Sequence, residues 1–282
     1  MNSISHILSS VVIAAACGQA ASQTTTVDFN SGAQGWNGSN GSVITSDANG
    51  NMFMRTIDET FGVLYWNNTN QAILGDYNQY ATMTLSVDVQ IDKIDTTNLP
   101  EGFTSIPLTR SLVLELRNNT YADGFFDYAS VFFILETNLS SANYPDFTTL
   151  GVTFDPNATE LPIGWGGFGG SDDANGPVLP DGVTFADIVS NVDEVVFTTR
   201  VPTEFYLLNF FEFSVDNFSI TTTTKASCPA DLNNDGELNF FDVSTFLGAF
   251  ATMEPIADFT GDGEFNFFDI SAFLTEFTVG CP

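Results

Sequence analysis

The chain has 282 residues, 43% of them hydrophobic and only 15% charged, which is enough apolar material for one sizeable core and a smaller satellite. Six Lys and Arg stand against 35 Asp and Glu, a formal charge of −29. That sign argues against nucleic acid or an anionic membrane surface as a partner and makes cations the natural counterparts, the alternative being a solubilising surface.

Met1 to His6 lead into an apolar stretch, Ile7 to Ala16, and then mostly small residues through Ser22. This is the layout of a secretory signal, without the usual basic start, so residues 1–22 are expected to be removed, with Gly18 and Ala20 suiting a cleavage just before Ala21. Lipidation of Cys17 after Ala14-Ala15-Ala16 is the alternative. The stretch is too short to span a bilayer, and no other segment approaches the ~20 apolar residues a spanning helix needs.

Residues 23–222 read as strands. Met83, Leu85, Val87, Val89 and Ile91 alternate with polar residues, as a strand with one dry face requires, and Leu112, Leu114, Leu116 and then Val131, Phe133, Leu135 repeat the signal. Phe211, Phe213 and Val215 share one face before Phe218 and Ile220 take over in the opposite phase, which predicts a bulge at Asp216-Asn217. Phe185, Ile188, Val189 and Val192 form the one helical stripe. Strands of this kind joined by Asn/Gly/Asp/Ser-rich turns imply an antiparallel, jelly-roll-like β-sandwich.

Trp66, Tyr77, Tyr80, Trp165 and Phe168 are candidates for a sugar-stacking platform, Trp165 above all because Gly164, Gly166 and Gly167 surround it; the alternative is that these rings pack the sandwich. Asp28 and Asp216 are candidates for holding a structural cation. Glu115 and Glu136 lie on candidate strands and are the one pair to weigh as glycosidase carboxylates, yet no dense acidic motif accompanies them. The only histidine, His6, belongs to the signal, which leaves the mature chain without Ser-His or Cys-His machinery. Leu64-Tyr65-Trp66, Leu74-Gly75-Asp76-Tyr77, Tyr80, Trp165, the Val183 to Val192 helix and Val215-Asp216-Asn217-Phe218-Ser219 together resemble the laminin IV (laminin B) type of module over residues 60–220. That resemblance implies a sandwich used for extracellular binding or architecture, with no catalytic set.

A polar linker, residues 223–227 with Thr221 and Thr222 before it, is expected to separate this module from a second one at residues 228–282. There the sequence repeats at an offset of 27: Ala230-Asp231 matches Ala257-Asp258, Asp235-Gly236-Glu237 matches Asp262-Gly263-Glu264, and Asn239-Phe240-Phe241-Asp242 matches Asn266-Phe267-Phe268-Asp269. Each copy fits a twelve-residue calcium loop running into a helix, with a glycine at position 6. The first loop offers Asp231, Asn233, Asp235, the Glu237 carbonyl, Asn239 and Asp242; the second offers Asp258, Thr260, Asp262, the Glu264 carbonyl, Asn266 and Asp269. So dense a carboxylate set needs a hard cation, so two calcium ions are expected, the second held more weakly because Thr260 replaces an amide or carboxylate.

Val243, Phe246, Leu247, Phe250 and Ile270, Phe273, Leu274, Phe277 give each following helix one apolar face, and the two faces are expected to pack together. Of Phe240, Phe241, Phe267 and Phe268, one of each pair is expected to be buried and one free for a partner. Cys228 and Cys281 bracket the unit, and in an oxidising compartment a disulfide between them is expected. From Cys228-Pro229-Ala230-Asp231 to Val279-Gly280-Cys281-Pro282 the segment resembles the Gly-Cys-ended dockerin-type domain of exported bacterial proteins, planctomycete ones in particular. The resemblance implies a small α-helical domain with two EF-hand-like loops that docks to a cohesin-like receptor or anchors at the cell envelope. The whole chain therefore reads as an extracellular or surface-anchored binder of glycan or matrix, with a dockerin-bearing glycoside hydrolase as the alternative.

Overall fold

The computed structural model describes residues 21–97, 105–122, 127–171, 176–202, 204–225, 228–233 and 237–280. The signal expected over residues 1–22 therefore lies almost wholly outside the described residues. The chain divides into two units, one spanning Ser22–Thr224 and one containing Lys225–Pro282.

The larger unit is mainly β, built from two antiparallel sheets. The first runs β3 (Ser42–Ser46), β4 (Met52–Thr60), β12 (Asn209–Thr224), β6 (Tyr80–Thr96), β9 (Thr148–Phe154), with β1 (Ser22–Val27) also paired to β12. The second runs β10 (Trp165–Phe168), β8 (Ala129–Leu139), β7 (Arg110–Asn118), β11 (Glu194–Thr198), β5 (Leu64–Asn67), β2 (Trp36–Gly38). Alternation places Met83, Leu85, Val87, Val89 and Ile91 of β6 in the same core as Leu112, Leu114 and Leu116 of β7. On β12 the inward face passes from Val215 to Phe218 at the expected bulge, where pairing with β6 jumps from Asp216 to Ser219. Asn217 has φ 48°, a left-handed conformation that asparagine tolerates better than most residues.

Helix α1 (Phe185–Val189) buries Phe185, Ile188 and Val189 and opens with a capping box between Thr184 and Asp187. The Leu74-Gly75-Asp76 turn is tied to its far end: Gly75 and Val192 exchange both backbone hydrogen bonds, at 3.0 and 2.8 Å, and Gly75 has φ 105°.

The expected linker needs correction. Thr221 to Thr224 continue β12, Thr221 to Thr223 facing Thr24 to Ser22 on β1, so strand replaces linker through Thr224. A run of threonine is polar enough to read as a linker, yet its β-branched side chains suit a half-wet strand. Ser22 likewise belongs to the sheet.

In the smaller unit, α2 (Phe240–Thr252) and α3 (Phe267–Val279) each follow a loop, and the second loop is entered from a 3-10 turn at Pro255–Ala257. The rings of Phe246 and Phe273 stack at 4.1 Å and 2° between the helices, with Phe259 edge-on to both. Their apolar faces are narrower than expected: Leu247 and Leu274 point to solvent. Among the described residues no helix is long and apolar enough to cross a membrane.

Candidate functional site

The pairs Trp66↔Val196, Val196↔Glu115 and Glu115↔Phe132 set four side chains in one row on the outer face of the second sheet, opposite the core-facing Tyr65, Phe197 and Leu114. Gly166 ends the row because a Cβ there would lie 2.3 Å from the Phe132 ring. Val113, Phe132 and Val201 form a small apolar cluster on this face, with Phe168 and Ile134 against it. Beside it lies a cavity of about 240 Å³, lined among others by Glu115, Arg117, Tyr128, Phe168, Thr198 and Arg200.

The cavity floor is an ion-pair cluster. Arg117 reaches Glu115 and Glu194 at 2.6 Å each, Ser130 Oγ donates to Glu115 at 2.7 Å, and the Arg117 guanidinium lies 4.3 Å from the centre of the Tyr128 ring. Burial opposes the charge on Arg117, but Glu115 foremost, then Tyr128 and Glu194, outweigh it and raise its pKa. Burial, helped by Glu115, pushes the Tyr128 hydroxyl up to about 12, so at neutral pH it remains a hydrogen-bond donor. Arg200 and Glu204 line the same cavity, so two cations stand among three carboxylates, Glu115, Glu194 and Glu204, a mixed-charge polar surface in a strongly acidic chain.

Of the five aromatic candidates from the sequence, Trp66, Tyr77, Tyr80 and Trp165 do not form one platform. Trp165 is buried against Phe154, Phe185 and Phe133, at 4.9, 5.0 and 5.5 Å between ring centres. Tyr77 is buried too, its hydroxyl donating to the Ile73 carbonyl at 2.6 Å. Tyr80 starts β6 in the first sheet and packs on the core. Trp66 alone of the four stands on the outer face, half-buried, while Phe168 reaches the cavity from β10. Sequence reasoning missed Arg117 and Tyr128. The Glu115-x-Arg117 spacing, which sets both on one face of a strand, was a usable signal for the first; Tyr128 carried none.

The two glutamates weighed as a catalytic pair have separate engagements. Glu115 faces Phe132, four residues before Glu136 and about 13 Å along the strand. Glu136 accepts from the Tyr144 hydroxyl and from the Thr137 and Asn138 N–H groups, which hold its carboxyl below the usual range. Of the two cation candidates, Asp216 is buried and accepts from Asn51 Nδ2 at 3.0 Å; burial, with Asp88 and Asp28 adding repulsion, raises its pKa. Asp28 is held by Asn30 instead.

In the smaller unit both loops close on a buried carboxylate. Asp242 accepts from the Asn239 N–H at 2.9 Å and the Leu232 N–H at 3.0 Å; Asp269 accepts from the Asn266 N–H at 2.8 Å, the Thr260 N–H at 3.1 Å and the Thr260 hydroxyl at 2.9 Å. Burial opposes the charge on Asp242, but these N–H groups hold it below the ordinary value, and the Asn266 N–H does the same first of all for Asp269. Asn239 and Asn266 cap the helices through the Phe241 and Phe268 N–H groups, at 2.8 Å each. Asp258 accepts from Gly261 and Gly263 at 2.8 and 2.9 Å, and Asp262 from Glu264 at 2.8 Å. Among the described residues no three Asp, Glu, His or Cys side chains form a metal-ligating group. Asp235 of the first loop and Cys281 lie outside the described residues. The donors themselves are all oxygens, carboxylate, amide, hydroxyl and carbonyl, which is the chemistry a hard cation takes.

The four phenylalanines correct the expectation of one buried ring per pair. Phe240, Phe241, Phe267 and Phe268 are all between 66% and 74% exposed, because the first helical turn projects beyond the contact between the helices centred on Phe246 and Phe273.

No protein-family profile matches the chain, and no curated protein matches it. Among solved structures it is similar to the C-terminal family 22 carbohydrate-binding module of Clostridium thermocellum Xyn10B, 11% identical over 72% of this chain and 95% of that one, with a TM-score of 0.32. It is similar also to the mannan-recognising module TmCBM27, 7% identical over 74% and 99% of the two chains, with a TM-score of 0.30. The lectin from Bauhinia forficata in complex with GalNAc is 12% identical over 72% and 99%, with a TM-score of 0.34.

Proposed function

We propose that this chain is an exported, non-catalytic glycan-binding module, held in place by a calcium-organised docking unit at residues 228–282. The observation that carries the binding half is the ion-pair cluster of Glu115, Arg117 and Glu194, with Arg200 and Glu204 on the same cavity, beside the rings of Tyr128 and Phe168. A pyranose presents hydroxyls that both donate and accept, together with a C–H face that stacks on a ring, and this surface answers each. Trp66 lies in the same row, two strands from Glu115 and on the order of 10 Å away, about the length of a disaccharide.

A glycan array probed with the full chain tests this half. Specific polysaccharide binding that falls about tenfold, ~1.4 kcal/mol, in Trp66→Ala or Phe168→Ala is expected. Binding untouched by both changes would refute it, and release of reducing sugar would favour the glycoside hydrolase instead.

The docking half rests on the duplicated loops and on composition. Residues 228–282 contain ten Asp and Glu and no Lys or Arg, so no basic side chain within the unit can offset its carboxylates. Two calcium ions, held by the oxygen donors of each loop, would neutralise them and join each loop to its helix. Phe240, Phe241 and Leu247 on one helix, and their repeats Phe267, Phe268 and Leu274 on the other, are exposed in both copies, a duplicated apolar surface suited to a cohesin-like or envelope receptor. Export and the Cys228–Cys281 bond belong to the same reading. Non-reducing intact mass of the exported protein is expected to place the N-terminus between Ala21 and Thr24 with both thiol hydrogens missing; an intact Met1, a lipid on Cys17 or free thiols would contradict it.

A further inference from the structure

At one end of the sandwich, β6 finishes, β7 and β12 begin, and the connection from β11 to β12 lines a second cavity of about 520 Å³. Leu108, Phe205, Leu207 and Leu208 give it apolar walls, Phe205 being 86% and Leu207 70% exposed. Two polar side chains on the same cavity each have a buried atom without a hydrogen-bond partner among the described residues. Asn209 is 4% exposed, and its Oδ1 is buried with no hydrogen-bond partner among the described residues. Arg110 is half-buried with its guanidinium 4.7 Å from the centre of the Tyr206 ring and 5.9 Å from that of Phe211. Its Nη2 donates to the Leu207 carbonyl at 3.3 Å, while its Nε is buried without a partner among the described residues.

Among the described residues Arg110 enters no ion pair. Glu204, whose charge acts on it, has its carboxylate engaged by the Tyr206 hydroxyl at 2.7 Å. Burial accordingly holds the Arg110 guanidinium below its ordinary pKa, as befits a desolvated cation short of counter-charge. Buried donors and acceptors without partners destabilise a fold unless a ligand meets them.

We propose that this end cavity is a second carbohydrate site, separate from the sheet face, that takes a hexuronate residue. The sugar carboxylate meets Arg110, in the charge-assisted geometry guanidinium favours, a ring hydroxyl donates to Asn209 Oδ1, and the C–H face rests on Phe205. A neutral hexose leaves Arg110 without its counter-charge, and an alkyl carboxylate leaves Asn209 without a donor. The inference goes beyond the sheet-face reading and stands without it.

Isothermal titration of the full chain with a trigalacturonate, its carboxyl-reduced neutral counterpart and octanoate tests it. The trigalacturonate is expected to bind at least tenfold more tightly than either of the others. That binding should fall at least tenfold in Arg110→Gln and in Phe205→Ala and stay unchanged in Trp66→Ala. Circular dichroism checks the fold of each variant; should Arg110→Gln unfold, the exposed Phe205→Ala decides. Equal affinity for the neutral trimer or for octanoate, no binding by the native chain, or binding that survives Phe205→Ala would overturn the proposal. Loss in Trp66→Ala alone would also overturn it and move the uronate to the sheet face.

Discussion

Asp187 shows how a single carboxylate is tied into this fold, and how that tie depends on pH. Its Oδ2 accepts the Thr184 N–H at 2.8 Å and the Thr184 hydroxyl at 2.7 Å, closing the box that starts α1, and these bonds hold its pKa below the ordinary value. A depressed folded pKa means the contribution is complete above the unfolded value, near about 3.9, and is lost as the pH falls through the folded one. Thermal melts should therefore find Asp187→Ala less stable than the native chain at pH 6, with the gap shrinking below about pH 3; a gap constant across that range would contradict the assignment. Asp242 and Asp269 close capping boxes at the starts of α2 and α3 in the same way, a role the sequence reading, which took them as calcium ligands, did not assign. The pairing of Arg117 with Glu194 was not legible, because only the register of β11 on β7 brings together residues 77 apart in the chain.

Among the elements, alternation made β6 and β7 readable, and a change of phase located the bulge in β12 before any pairing was known. The bulge depends on Asn217, whose Nδ2 also donates to Asp88 Oδ2 at 2.8 Å. Asn217→Val should cost about 2 kcal/mol, from left-handed strain in a β-branched residue and the lost hydrogen bond, and Asn217→Gly about half that, because glycine relieves the strain alone. Urea unfolding reads both, and a valine variant as stable as the native chain would refute this account of the bulge. Trp165 was the hardest residue to place. Its glycine neighbours read as a loop around an exposed ring, but Gly166 and Gly167 make room for Phe132 and Leu179 against the backbone of β10. Leu247 and Leu274 misled for a related reason: their helical spacing fits a buried face, yet stacking of Phe246 on Phe273 uses up the contact.

For the molecule as a whole, charge sets the terms. Of the 35 acids, 25 precede residue 228 together with all six Lys and Arg, and in the sandwich Arg55 joins Asp92 and Glu212 at 2.9 Å each and Arg117 joins two glutamates. It is a different matter at residues 228–282, where ten acids have no basic residue among them and the core is little more than Phe246, Phe273 and three alanines. Mutual repulsion there opposes folding, and the calcium ions proposed above would neutralise it. Differential scanning calorimetry of the full chain in millimolar calcium and in excess chelator, with far-ultraviolet circular dichroism on the same samples, tests this directly. Chelation is predicted to abolish the transition of the helical unit and its helical signal while the sandwich transition keeps its midpoint; thermograms and spectra identical in calcium and in chelator would contradict the account.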